Sequence, residues 1–352
     1  MTDFFKDLSS GLKNEYAGLA SDGIAAGDIS GYLSTGSYML NALLSGSIYG
    51  GIPSNKITVF AGEEATGKTF FILAVCKYFL DRFDNGVVVF FESESAISKG
   101  MLEERGMDTN RIMVFPVATI QEFRTQSLKV LENYEKMSEA NRRPMIIVLD
   151  SFGMLSTTKE VEDTLDGSET KDMTRAQIAK ATFRVLTLKL GKLDVPLLAT
   201  NHTYQGIGMF AKKEMGGGSG LKYSASNIVF LGKRKEKDGN EIIGNIIRCT
   251  LNKSRITREN SQIEILLTYD RGLDKYFGLV DLATEIGIFK KVATRIELPD
   301  GTKTFRSTII KNPEKYFTLD ILKQLDKAAN KKFSYGKAEE EDVPEIDTDD
   351  SV

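Results

Sequence analysis

The eight residues Gly62-Glu63-Glu64-Ala65-Thr66-Gly67-Lys68-Thr69 constrain this chain more than any other stretch. They directly follow the apolar run "KITVF" and directly precede "FFILAVCKYFLDRF". The pattern predicts a strand, a tight glycine turn and a helix in immediate succession. Such a turn aims backbone N–H groups and a helix N-terminus at one point and so makes an anion cradle. Within it Lys68 is expected to reach the β and γ phosphates of a nucleoside triphosphate, and the Thr69 hydroxyl to bind Mg²⁺. Gly62, Glu63, Glu64, Ala65, Thr66, Gly67 and Phe70 complete the expected nucleotide contacts. A glycine-rich surface turn would require neither flanking element.

The rest of the chain agrees with such a core. Strands are expected at 56–62, 86–93, 111–118, 145–151 and 195–201, each a continuous apolar run rather than an alternation. That texture predicts strands buried on both faces of a parallel sheet. Helical segments separate them, one opened by a Thr119/Glu122 capping-box pattern. After Asn227 the runs "NIVFLGKRK", "IIGNIIRCTLN" and "IEILLTYD" lie closer together and predict an antiparallel extension. The expected fold is α/β, a mostly parallel central sheet with small N- and C-terminal appendages. The expected divisions are a helix (3–20) and linker in 1–32, a core over 33–289, a small basic region over 290–337 and an acidic tail over 338–352.

A second signature is the strand "MIIVLDS", which ends in Asp150, the position for a carboxylate that supports the magnesium shell, through water. The strand "VVVFFESES" ends in two carboxylates, Glu92 and Glu94. Either is placed to orient water, because carboxyl ends of parallel strands face the ligand crevice. The only histidine of 352 residues, His202, stands where the apolar run 196–200 ends.

Composition excludes several classes. No apolar run reaches membrane-spanning length and the first residues carry no signal-peptide core, so a cytoplasmic protein without membrane partners is expected. Cys76 and Cys249 lie in apolar runs and read as reduced core thiols. The net charge of −3 conceals an asymmetry: the last fifteen residues hold eight acidic groups, and without them 46 basic face 41 acidic side chains. A basic body with an acidic tail points to a polyanion partner that the tail could screen.

The stretches "STGSYMLNALLSGSIYGGIPSNKITVFAGEEATGKT", "FFESESAI", "IIVLDS" and "GGGSGLKYSAS" resemble the RecA-type DNA strand-exchange proteins. "DMTRA", "NHTY", "MGGGSG" and "KSR" resemble most the phage UvsX-type recombinases. The resemblance covers roughly 33–289. It implies an ATP-dependent recombinase that forms a helical filament on single-stranded DNA and exchanges strands with homologous duplex DNA. It also implies single-strand-binding and loader proteins as further partners, and segment 1–32 as the clasp onto a neighbouring protomer. A ring helicase or an accessory ATPase would share the same core motifs.

The resemblance also assigns roles. Glu94 becomes the water-orienting carboxylate, and His202 stands where bacterial relatives carry a glutamine that senses the γ-phosphate. A titratable group there predicts nucleotide coupling that weakens at alkaline pH. Lys253 and Arg255 are expected to reach the ATP of a neighbouring protomer, and Met101 to cover the base in place of an aromatic ring. Two DNA-binding loops are implied. One spans 156–176, with contacts around Met173 and Arg175. The other spans 203–224, where Phe210, Lys212, Lys213, Lys222 and the glycines Gly216, Gly217 and Gly218 would meet the phosphate backbone.

Overall fold

A computed structural model describes residues 3–11, 17–24, 26–167, 174–205, 213–216, 219–238, 241–269 and 271–335. The N-terminal segment holds α1 (Asp3–Leu8), and a two-stranded ribbon of β1 (Tyr32–Leu33) and β2 (Ile52–Pro53) flanks α2 (Tyr38–Ser45). The core then runs β3 (Ile57–Gly62), α3 (Lys68–Arg82), β4 (Val87–Glu92), α4 (Lys99–Glu104), β5 (Ile112–Pro116) and α5 (Ile120–Lys136). It continues through β6 (Met145–Asp150), α6 (Thr158–Leu165), α7 (Arg175–Leu193), β7 (Leu197–Gln205), β8 (Lys213–Met215) and α8 (Ser219–Ser224). Four strands close the large sheet: β9 (Asn227–Asp238), β10 (Glu241–Ser254), β11 (Gln262–Thr268) and β12 (Gly272–Leu273).

These strands form one ten-stranded sheet in the order β12-β11-β10-β9-β3-β7-β6-β4-β5, with β8 paired to β7. From β9 to β5 all neighbours are parallel, and from β9 to β12 all are antiparallel. The parallel strands are apolar throughout because helices cover both faces. In β6, Ile146 and Val148 enter one core with Phe60, Phe71 and Leu198, whereas Ile147 and Leu149 enter the other with Phe91, Phe123 and Phe183. In β11 only alternate residues are buried, as a sheet covered on one face requires.

One expected strand departs from that rule. β5 is the edge of the sheet, with Met113 61% exposed and Val114 39% exposed. An apolar run reads alike whether one neighbour or two flank it. The expected N-terminal helix is also shorter, since Gly11 takes φ 78° and residues 17–19 are not helical. The stretch 156–176 is not simply a loop. Thr157 and Glu160 make a full capping box and start α6, the same signal that correctly starts α5 at Thr119 and Glu122.

The C-terminal unit contains α9 (Leu279–Glu285), the small sheet of β13 (Lys290–Val292), β14 (Arg295–Glu297) and β15 (Lys303–Thr304), then α10 (Arg306–Lys311), α11 (Pro313–Tyr316) and α12 (Leu319–Phe333). A tight hairpin joins β14 and β15, with the Leu298 N–H donating to the Thr302 carbonyl at 2.9 Å. Leu325, Ala329 and Phe333 of α12 share the core that holds Leu40 and Leu43 of α2. Asp326 adds hydrogen bonds from Ser47 Oγ (2.7 Å) and the Ile48 N–H (2.9 Å). The acidic tail lies outside the described residues.

Candidate nucleotide and DNA site

The carboxyl ends of β3, β4, β6 and β7 open at one mouth. Parallel registers set Gly62 beside His202 and Glu92 beside Asp150, so residues far apart in the chain meet across four adjacent strands. Gly62, Glu63, Glu64, Ala65, Thr66, Gly67, Lys68, Thr69 and Phe70 form the β3–α3 turn and the first turn of α3. The two motif glycines are required for different reasons. Gly67 takes φ 83° in open space, whereas a Cβ at Gly62 would meet Thr66 Oγ1 at 2.7 Å and the Leu231 carbonyl at 3.1 Å. Lys233 from β9 also donates to the Ala65 carbonyl and buttresses the turn.

Lys68 is buried and donates to the carbonyls of Gly62 (3.2 Å) and Glu63 (3.0 Å). Burial lowers its proton affinity, and Glu94, Asp150 and Glu64 oppose that. Asp150 is buried, and burial holds its carboxyl above the usual range against hydrogen bonds from Thr200 and Thr69. A hydroxyl and a carboxylate side by side are hard oxygen donors, which suit a Mg²⁺ ion that keeps most of its water.

The structure separates the two glutamates. Glu92 turns back on its own loop and accepts the N–H groups of Glu94 (3.0 Å) and Ala96 (2.8 Å). Glu94 faces the mouth, accepts Ser151 Oγ at 2.5 Å and lies 3.1 Å from His202 Nε2. The other ring nitrogen, Nδ1, is 3.4 Å from Lys68 Nζ. His202 therefore bridges the phosphate-loop lysine and the outward glutamate. It does not end its strand, because β7 continues to Gln205 as a hairpin with β8.

That hairpin absorbs part of the stretch read as a long loop. Gly216 donates its N–H to the His202 carbonyl (2.9 Å), and Asn201 Nδ2 donates to the Gly216 carbonyl (2.8 Å). Lys213 is ion-paired with Glu63 at 2.7 Å. Lys222 lies in α8 and is exposed. Arg175, at the start of α7, pairs with Glu160 of α6 at 3.1 Å and reaches the Gly153 carbonyl. Met173, Phe210, Lys212, Gly217 and Gly218 lie outside the described residues.

Lys253 and Arg255 sit away from the mouth, where β10 ends. Lys253 Nζ donates to the carbonyls of Lys222 (2.7 Å), Tyr223 (3.0 Å) and Ala225 (2.8 Å), and Arg255 Nη2 to that of Tyr223 (2.9 Å). Both cations thus cap the carboxyl end of α8. Burial, then the charge of Arg255, pushes Lys253 down to about 8.

Met101 was expected against the base. It is partly buried against the core, and its carbonyl accepts Arg105 Nη1 at 2.8 Å. A cavity of about 340 Å³ runs along α3 from Phe70 to Asp81 and is also lined by Arg105 and Tyr269, with the Arg105 guanidinium 4.3 Å from the Phe70 ring centroid. Nothing local in the sequence marks Arg105 or Tyr269, which come from distant elements.

Comparison with known proteins agrees with this geometry. The family described as RecA N-terminal domain matches residues 24–274. The Recombination and repair protein of Enterobacteria phage T4 is 34% identical over 253 residues, which cover 72% of this chain and 63% of that protein. Protein RecA of Deinococcus radiodurans is 28% identical over 272 residues, 74% of this chain and 69% of that protein. Protein RecA of a Nocardioides species is 25% identical over 306 residues, 84% of this chain and 82% of that protein.

Proposed function

Because this chain belongs to the RecA family, we propose that it is a DNA-dependent ATPase that assembles as a helical filament on single-stranded DNA and exchanges strands with a homologous duplex. The observation that carries the reading is the His202 bridge: one side chain touches Lys68 and Glu94 and leads, within its own strand, into the β7–β8 hairpin. A group reporting the state of a γ-phosphate needs that position.

In this reading the N–H groups of the 62–69 turn and Lys68 bind the triphosphate of ATP. Thr69 and Asp150 would hold a magnesium ion, which supplies charge neutralisation when bound. Glu94, held by Ser151, orients a water toward the γ-phosphate and takes up its proton. His202 passes the presence of the γ-phosphate to the hairpin, whose Lys213 and Gly216 adjoin the DNA strand together with Lys222. Arg175 contributes from the start of α7. Lys253 and Arg255 act on the ATP of a neighbouring protomer, so hydrolysis requires assembly.

Two surfaces support assembly. The edge strand β5 exposes Met113 and Val114, and α1 exposes Phe4, Phe5 and Leu8. Apolar side chains on a sheet edge and on an N-terminal helix suit a clasp between copies. No helix among the described residues is long and apolar enough to cross a membrane.

The test is steady-state ATP hydrolysis with and without single-stranded DNA at several protein concentrations. Stimulation by DNA that is cooperative in protein is expected. A fast rate indifferent to DNA would overturn the reading and favour a regulatory ATPase.

A further inference from the structure

The phosphate loop presents an electrostatic problem. Glu63 and Glu64 are adjacent carboxylates on a turn that must receive a polyanion, with Asp150 and Glu94 behind them. An unanswered carboxylate there repels a triphosphate. Glu63 is answered: Lys213 Nζ lies 2.7 Å from Glu63 Oε1, and its hydrogen bond and charge hold that carboxyl below the usual range.

The lysine comes from an informative place. Lys213 is the first residue of β8 and pairs with Gln205, three residues beyond His202 on β7. The Glu63 main chain meanwhile belongs to the nucleotide site, since its carbonyl accepts Lys68 Nζ (3.0 Å) and Thr66 Oγ1 (2.8 Å). The hairpin is therefore fastened to the phosphate loop at a point separate from His202.

We propose that the Glu63–Lys213 ion pair is a second coupling link, a positioning pair through which nucleotide at the phosphate loop and DNA at the β7–β8 hairpin reinforce each other. The inference rests on the proposed function. With Lys213 in place the loop loses a repulsive charge, and the base of the hairpin is held in one arrangement. Without it Glu63 faces the triphosphate bare, and the hairpin is tied to the nucleotide only through His202.

The two single substitutions should act oppositely on one quantity and alike on another. In the full chain, Lys213→Gln exposes Glu63 and weakens Mg·ATP binding about threefold, whereas Glu63→Gln removes a carboxylate and tightens it by up to about threefold, the scale of a partly exposed pair. Both lower the ATP-induced gain in affinity for a poly(dT) oligonucleotide by about threefold. The reversed pair, Glu63→Lys with Lys213→Glu, restores that gain. Folding is checked by unchanged thermal midpoints.

A gain as large as wild type in both single variants would overturn the inference. So would a reversed pair as deficient as the single variants, since the link would then not be the ion pair. A wild-type chain that shows no ATP-dependent gain would overturn the proposed function itself, and this inference with it.

Discussion

The mouth of the parallel strands and the corner where β10 ends are each built around a buried or half-buried lysine, but the two are answered differently. At the mouth, Lys68 is opposed by Glu94, Asp150 and Glu64, and His202 stands between lysine and glutamate. At the corner, Lys253 is surrounded by main-chain carbonyls and by a second cation, Arg255. The nearby acid, Glu259, is engaged by the Ser254 N–H at 3.1 Å. At the mouth three carboxylates surround one buried lysine. At the corner, by contrast, the cations Lys253, Arg255 and Lys222 outnumber the nearby acid Glu259.

The hardest way to break this comparison is to remove the corner. Lys253→Met with Arg255→Met should lower DNA-stimulated hydrolysis on the order of 1,000-fold while leaving nucleotide binding by the isolated chain intact. Mixing that protein with Glu94→Gln should recover activity, because some interfaces then combine an intact mouth with an intact corner. Mixtures as inactive as their components would place both sites within one protomer.

At the mouth, Glu94→Gln alone should reduce hydrolysis roughly 100-fold or more with ATP still bound. Single-turnover rates beside equilibrium binding separate the two. Glu92→Gln should instead disturb the loop through lost bonds to Glu94 and Ala96. A comparable loss of chemistry there, with the fold intact, would reverse the assignment.

Ser151→Ala probes how far the mouth is preorganised. Losing a hydrogen bond to a charged acceptor should lower kcat roughly tenfold and leave KM for ATP nearly unchanged. A change in KM alone would mean that Ser151 serves binding rather than Glu94.

The smallest effect is on pH. Lys253 lies near 8, below the ordinary lysine value. The folded chain thus binds fewer protons than the unfolded one between these values, and this group's contribution to stability rises with pH across that window. Its charge, which the role proposed for it requires, is lost over the same range. The DNA-stimulated rate should fall about threefold between about pH 7.5 and about pH 8.5, and Lys253→Arg should abolish that fall. If His202→Gln flattens the profile instead, the sensitive group is the histidine at the mouth.

The phosphate loop, the strand carrying Asp150 and the change along the chain from doubly covered strands to closely spaced ones are legible in the linear sequence because each is local. A turn between strand and helix has contiguous chemistry, and doubly covered strands are continuously apolar. Even α6 was announced, by Thr157 and Glu160, the same spacing that marks α5. Three things required the tertiary structure. The choice between Glu92 and Glu94 depends on which way each side chain leaves the end of β4. The exposure of β5 depends on its place at the sheet edge. The pairing of Glu63 with Lys213 joins residues 150 positions apart through a hairpin fold-back. Sequence periodicity reports what an element buries, because burial repeats along the chain. Which neighbour it buries against, and which charge meets which, is set by strand order and register, and these exist only once the chain has closed on itself.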